Sequence, residues 1–388
     1  MINYTPYNIS KQSTGIMKMF ILLIGVLFSS AVFGQSTGNV SPTGPSYFPL
    51  PKVDKRIELL SIVFRLAGNM EYNDEIFKSY TSDIHSHFDR YREHELIKFT
   101  REIKDKNRIG FDAVMRMAIY LEQPPTLNPI VPFTTDIPDG RWGLENAAKF
   151  LKLLQQFYID AKCDDFFNAH KELYRISAER YKSVYESLDL KWLNRYYGNE
   201  PKGSFNIIPG LGNGGGNYGV KAVLPDGEKS MYAIMQTSSI DSTNIPVYDV
   251  NFNLPTLIHE FNHSYVNDLQ KKFEKELEKS GAKLYGLVSE AMRRQAYANW
   301  VTVINEALVR ASVIRYLMNH NSDISVAKNQ LMSEFGRGFF WIKGLVDCLG
   351  EYEKNRDKYP TLESYMPIII NYYNGVANNI DLMFEIIR

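Results

Sequence analysis

The sequence predicts an α+β fold, predominantly helical, with a small antiparallel sheet set in the middle of the chain. Three observations predict it. Apolar residues recur at helical spacing from Val53 to about Gly198, and again from Pro255 almost to Arg388. Between these stretches the texture changes to short β-prone runs punctuated by glycine. The second helical stretch opens on His259-Glu260-Phe261-Asn262-His263, in which two imidazoles four positions apart fall on one helix face.

The chain starts with targeting information. Met17-Lys18-Met19, the apolar run Phe20–Phe28 and the small-residue pattern Val32-Phe33-Gly34 read as an export signal ending at residue 34. Residues 1–16 read as a spurious extension, because a start at Met17 gives a signal of ordinary length. The expected destination is periplasmic or extracellular. No Cys stands near the cleavage pattern, which argues against a lipid anchor, and no later segment is apolar enough for a membrane span. Gln35–Lys52, rich in Ser, Thr, Gly and Pro, is expected to be a flexible leader. A mature chain of about 350 residues exceeds one simple core, so a helical subdomain over 53–200 and a second subdomain over 201–388 are expected.

Lys+Arg 44 balance Asp+Glu 44, which gives no electrostatic pull towards nucleic acid or an anionic membrane. Cys163 and Cys348 either pair or remain two thiols, and neither belongs to a metal-binding Cys cluster. The sequence does not fix an oligomeric state.

Ile57, Leu60 and Phe64, with Leu59, Val63 and Ala67, form the first apolar stripe, which Gly68-Asn69 stops. Similar stripes run through Glu75–Arg92, Phe111–Leu121, Leu144–Ile159 and Leu173–Leu193, and the Pro-rich Gln123–Arg141 reads as a long loop. Ser204–Ile208 reads as a strand followed by a Gly-rich run, Pro209–Gly219. Val220–Leu224 and Met231–Met235 form a hairpin around Pro225-Asp226-Gly227. The Gly-rich run lacks the Gly-Lys-Ser/Thr ending of a phosphate loop, so it is expected to be either a hairpin connection or the edge of a cleft. Asn253 is the expected cap of the helix that follows, with Pro255 in its first turn.

The chemistry rests on that helix. His259 and His263 can reach one ion, and Glu260 stands beside it to take a proton from water. Zn2+ needs a third ligand and an open position. Glu290 is the nearer candidate. Glu306 is the better one, because a carboxylate on a helix apolar on several sides is costly to bury uncompensated. A bland reading pairs Glu306 with Arg310 one turn on. His85, His87 and His94 lack a third ligand on their face and read as ordinary surface or core histidines.

His259-Glu260-Phe261-Asn262-His263 followed by Ile304-Asn305-Glu306-Ala307 resembles the gluzincin group of thermolysin-like zinc metallopeptidases. Asn217-Tyr218-Gly219, His259–Ser264 and Glu306–Arg310 further resemble a secreted, Bacteroidetes-type family catalogued as a domain of unknown function. The resemblance implies a zincin-like catalytic core with His259, His263 and Glu306 as ligands, Glu260 as general base and a peptide or protein substrate. Two features depart from the group's pattern. The 43 positions between His263 and Glu306 must hold extra helices, expected at Leu269–Lys279 and Leu284–Trp300. Arg310 stands where the group carries an Asp that orients a ligating His, so that partner is unassigned. Tyr372 or Tyr373 is the expected oxyanion stabiliser. Gly215, Gly216, Asn217 and Tyr218 are expected to leave room for an extended substrate added to the hairpin edge. The rival readings are a non-catalytic peptidase-like binding protein at the cell surface and a zinc hydrolase of non-peptide amides or esters.

Overall fold

The computed structural model describes residues 48–198, 203–320 and 323–387, with side chains as far as 380. The expected export signal and most of the expected leader lie outside the described residues.

Nine helices precede the sheet among these residues: α1 (Lys55–Leu66), α2 (Lys78–Phe88), α3 (Glu95–Asn107), α4 (Asp112–Ile119), α5 (Leu144–Asp160), α6 (Cys163–Ala169), α7 (Lys171–Arg180), α8 (Lys182–Glu186) and α9 (Leu190–Tyr197). Strands β1 (Gly203–Gly210), β2 (Tyr218–Val223) and β3 (Lys229–Gln236) follow. The chain then returns to helix as α10 (Val250–Lys272), α11 (Glu274–Arg293), α12 (Trp300–His320), α13 (Ile324–Gly336), α14 (Ile342–Lys354) and α15 (Leu362–Ile387). The fold is α+β and predominantly helical, as the periodicity predicts.

The sheet differs from expectation in one respect. Its order is β1-β3-β2, with β2 antiparallel to β3 but β1 parallel to it. The hairpin is where the sequence puts it. The Gly-rich connection carries the chain across to the far edge, so β3 returns between β1 and β2 and the sheet is mixed rather than antiparallel.

Both faces of the sheet are covered, and period-2 alternation sorts the side chains between them. Phe205, Ile207, Met231, Ala233 and Met235 face a core built mainly from α8 to α15. Ile208, Tyr218, Val220, Ala222 and Ile234 face a second core built from α1 to α7. Across the first interface the Phe205 ring meets Phe261 of α10 edge-on, with centroids 5.1 Å apart. Tyr181, Val184, Leu193 and Tyr197 pack into the core beyond the sheet, with the residues that follow it in sequence.

Several boundaries moved for local reasons. The Leu173–Leu193 stripe breaks into α7, α8 and α9, and Asp189 starts the last by accepting the Trp192 amide at 2.9 Å. No separate apolar stripe marks α3 in the sequence, because its charged residues dilute the pattern, yet Leu96, Ile97, Phe99 and Ile103 are buried. The end of the expected leader is packed: Phe48 stacks on Tyr185 and the Lys52 amide donates to Ile207. Cys163 is buried in the core built from α1 to α7 and Cys348 lies against the other, both as free thiols. The three early histidines each have a separate partner: His85 meets Asp89, His87 meets the Ala161 carbonyl, and His94 caps α3.

The Gly-rich run is held from below. Glu58 of α1 is fully buried, and its carboxylate accepts the Leu211 amide at 2.8 Å, the Gly212 amide at 3.0 Å and the Tyr80 hydroxyl at 2.9 Å. Gly214 has φ +67°, and an added Cβ would overlap the Glu71 carbonyl. The glycines therefore make room for the protein's own Met70–Tyr72 turn.

Burial pushes the Glu58 carboxyl up to about 7, against the hydrogen bonds that favour its charge. A folded-state value above the unfolded one means that the native state holds this proton more tightly. The stabilising contribution is full below about pH 4.5 and is lost as pH rises through about 7. Relative to Glu58→Gln, the wild type should lose stability across that window in urea unfolding. Parallel stability–pH curves for the two proteins would refute the raised value.

Candidate metal centre

Helix α10 begins one turn earlier than expected. Asp249 caps it by accepting the Phe252 amide at 3.1 Å, and Asn253 is already helical, bonding back to the Asp249 carbonyl. Pro255 therefore lies inside the helix rather than in its first turn. One side of α10 (Leu257, Ile258, Phe261 and Val266) is fully buried. Phe252, Thr256, His259, His263, Asn267 and Gln270 recur at helical spacing on the other side, along the floor of a cleft of about 1090 Å³.

Helix α12 packs against α10 and brings Glu306 to the two imidazoles. His259 Nε2 stands 3.5 Å from Glu306 Oε2, and His263 Nε2 stands 3.4 Å from Oε1. The two Nε2 atoms are 3.2 Å apart. The ligand atoms of all three residues lie within 4.8 Å of one another, so one ion can touch all of them. Asn262, inside the motif, donates from Nδ2 to the Val309 carbonyl and ties the two helices together at this level.

Two of the three candidate ligands have partners that aim them. Asn267 Oδ1, one turn beyond His263, lies 3.1 Å from His263 Nδ1. With the proton on Nδ1, the Nε2 lone pair faces the cluster. Glu306 Oε2 accepts from the Tyr297 hydroxyl and from Arg310 Nε, each at 3.1 Å. Arg310 donates in turn to Tyr297 and to Glu334, at 2.8 Å each. The expected Glu306–Arg310 pair is thus present, but both members are 7% exposed and it supports the cluster rather than the surface.

The electrostatics follow from burial. Desolvation holds His259 well below its ordinary value and therefore neutral. Burial works to lower His263 too, but the hydrogen bond to Glu306 outweighs it and the imidazole is pushed up to about 9. Burial opposes the charge on Glu306, yet the neighbouring imidazoles and Arg310 hold it well below the carboxylate range. The cluster thus gathers positive charge around one carboxylate, the condition in which a divalent cation can replace a proton. Glu260, 6% exposed, lines the same cleft beside them. Burial pushes its carboxyl up to about 7, and His263 acts the other way. Strand β2 lies flush on this point: a Cβ added at Gly219 would overlap the Glu260 carbonyl.

Glu290, the nearer candidate ligand, is 89% exposed and pairs with Arg294. Tyr372 and Tyr373 do not line the cleft, because α15 turns both towards its own packing. Tyr372 donates to the Trp341 carbonyl and Tyr373 is 1% exposed in the core. Asn217 and Tyr218 do line the cleft, whereas Gly215 and Gly216 do not. Their missing side chains leave space for Asp74 and for the Tyr218 ring. The sequence reading missed Asn267, which its i+4 spacing from His263 could have flagged, and Tyr297, Glu334 and Arg337, which come from a loop and from the end of α13. The expected helix Leu284–Trp300 is interrupted there: Ala296 has φ +67° and Asn299 caps α12 through Thr302.

Residues 50–372 match the family described as a domain of unknown function, DUF4932, and the chain belongs to that family. No curated protein and no solved structure matches it.

Removing Arg310 would leave Glu306 and Glu334 buried without their shared cation. Arg310→Ala should therefore cost about 3–5 kcal/mol in chemical denaturation. Arg294→Ala, at an exposed pair, should cost less than about 1 kcal/mol. Equal costs would show that burial of the Arg310 network carries no energetic weight.

Proposed function

We propose that the protein is an exported zinc-dependent metallopeptidase of gluzincin type, with His259, His263 and Glu306 as ligands and Glu260 as general base. The observation that carries this reading is the convergence of these four side chains on the floor of one cleft. The donor set fits: two imidazole nitrogens and one carboxylate oxygen, with the cleft side open, are a catalytic rather than a structural zinc pattern. Bound there, zinc would polarise the scissile carbonyl and lower the pKa of water at its open position.

The chain's own residues supply the rest. Glu260 takes the proton of the attacking water and passes it to the leaving amine. Asn267 would hold His263 with its Nε2 turned to the ion, and Arg310 with Tyr297 keeps Glu306 charged and aimed. Arg310 replaces the Asp of the thermolysin-like pattern by acting on the carboxylate ligand instead of on a histidine. Strand β2 is an edge strand whose first residues, Tyr218 and Gly219, border the cleft, which suits main-chain pairing with an extended peptide.

Zinc analysis of the folded mature chain should give one equivalent, and His259→Ala and His263→Ala should each abolish uptake. Glu306→Ala should weaken uptake strongly while Glu290→Ala should not. Glu260→Gln should keep zinc and fold but lose about 10²–10⁴ in turnover of a peptide library. Less than a tenth of an equivalent after adding zinc would refute the metal site. Full zinc with no cleavage by the wild type would favour the binding-protein or the non-peptide hydrolase reading, which an amide and ester panel separates.

A further inference from the structure

Helix α13 runs out into Arg337, which borders the cleft that holds His259, His263 and Glu306. The main chain is fixed at this point. The Arg337 carbonyl accepts Gln295 Nε2 at 2.8 Å, from the loop that also carries Tyr297. Gly338 follows with φ +105°, a turn that glycine takes without strain. Phe339 is then fully buried, with the Arg310 guanidinium 5.3 Å over its ring.

The Arg337 side chain is not held in the same way. It is 48% exposed, and Glu334 Oε2 stands 3.7 Å from its Nη1, too far for a hydrogen bond. That oxygen already accepts Arg310 at 2.8 Å, and Glu334 Oε1 accepts Gln330 Nε2 at 2.6 Å. The other arginines of the cleft are engaged. Arg116 and Arg141 share Asp112 and Asp139, and Arg310 spans Glu306 and Glu334. Among the described residues, Arg337 is the arginine of the cleft whose guanidinium makes no hydrogen bond.

This guanidinium stands close to the candidate ligands. It meets the same Glu334 oxygen as Arg310, whose other nitrogens hold Glu306. Its field reaches His259, where it adds to burial and to the charges of Arg310 and His263 in disfavouring a proton. Glu306 and Glu334 are already balanced by Arg310 and Arg337. A divalent cation in the cluster would therefore leave an excess of positive charge at this part of the cleft. An unbonded planar guanidinium beside that excess suits an anion, and in a peptide the matching group is a carboxylate, held through two parallel N–H donors.

We propose that Arg337 holds a carboxylate of the substrate, and that peptides carrying one within reach of the cluster are the preferred class. This rests on the peptidase reading and adds its substrate class. The carboxylate comes from a free C-terminus, which would make the enzyme a carboxypeptidase, or from an Asp or Glu side chain. A cation at the end of a helix also complements the helix dipole, but that role gives no preference among substrates.

The test uses the zinc-loaded mature chain and a peptide found by library digestion, made in three forms. One ends in a free carboxylate, one in an amide, and one in an amide with a Gln near the cleavage point replaced by Glu. One of the two acidic forms should exceed the neutral form in kcat/KM by about ten- to a hundredfold, and which one does identifies the source of the carboxylate. Arg337→Gln should abolish that preference, mainly through KM, with zinc content unchanged. Arg337→Lys should keep part of it, since an ammonium offers the charge without the fork. Binding is read separately by calorimetry on zinc-loaded Glu260→Gln, which holds the peptides without turning them over. There the favoured acidic form should bind about ten- to a hundredfold tighter than the neutral one, and adding Arg337→Gln should close the gap. Equal treatment of acidic and neutral forms by the wild type, or a preference that survives Arg337→Gln, would overturn the proposal and leave the peptidase reading intact. If the loaded wild type cleaves nothing, the peptidase reading falls. Calorimetry with a free-acid peptide and its amide then decides the carboxylate site alone: a gap that Arg337→Gln closes supports it, and equal affinities overturn it.

Discussion

The contact on which the site depends is Arg310 between two buried carboxylates. Glu306 and Glu334 are 7% and 1% exposed, and a carboxylate at that depth is costly unless a cation compensates it. Arg310 spans them, with Nε and a terminal nitrogen on Glu306 and the other terminal nitrogen on Glu334. A planar guanidinium can serve both at fixed geometry, which a lysine cannot. The fork also reaches Tyr297, so the loop between α11 and α12 is locked to the same centre. Candidate ligand, supporting cation and second carboxylate come from α12 and α13, and none of them can shift without uncovering a charge.

The sheet is the second constraint. It is a layer shared by two cores, so the helices before it and after it fold against opposite faces of the same three strands. This arrangement sets how closely β2 approaches α10. At Gly219 the separation is so small that a single methyl group would collide with the Glu260 backbone. The position of the carboxylate is thereby referred to a strand whose other face is packed on α1 to α7, although those helices contribute no ligand.

Much of this was legible in the sequence, for identifiable reasons. The pairing of His259 with His263 follows from helical spacing alone, and Glu306 followed from the cost of a carboxylate in an apolar helix. The hairpin declared itself through its Pro-Asp-Gly turn. The failures share a different cause. The parallel pairing of β1 depends on a crossover that no local pattern encodes. The hydroxyls of Tyr372 and Tyr373 suit an oxyanion, but nothing local fixes their direction and helix α15 turns both into its own packing. Gly215 and Gly216 suggest space for a substrate, but the space belongs to Asp74 and Tyr218. A glycine records that something approaches closely but not what does. Tyr297 and Glu334 come to the site through tertiary packing and leave no mark at fixed spacing from the motif.

Pro255 divides α10 into two mechanical parts. Lacking an N–H, it withholds the hydrogen bond that the Asn251 carbonyl would otherwise receive, while the ladder beyond it has its full set of donors. The histidines sit on the stiff part, clamped by the sheet and by α12. Phe252 sits on the other, on a turn with one rung missing and solvent on one side. The turn that carries Phe252 is therefore held by fewer main-chain bonds than the turns that carry the imidazoles. A single helix thus joins a loosely bonded start to a firmly bonded segment that carries the cluster.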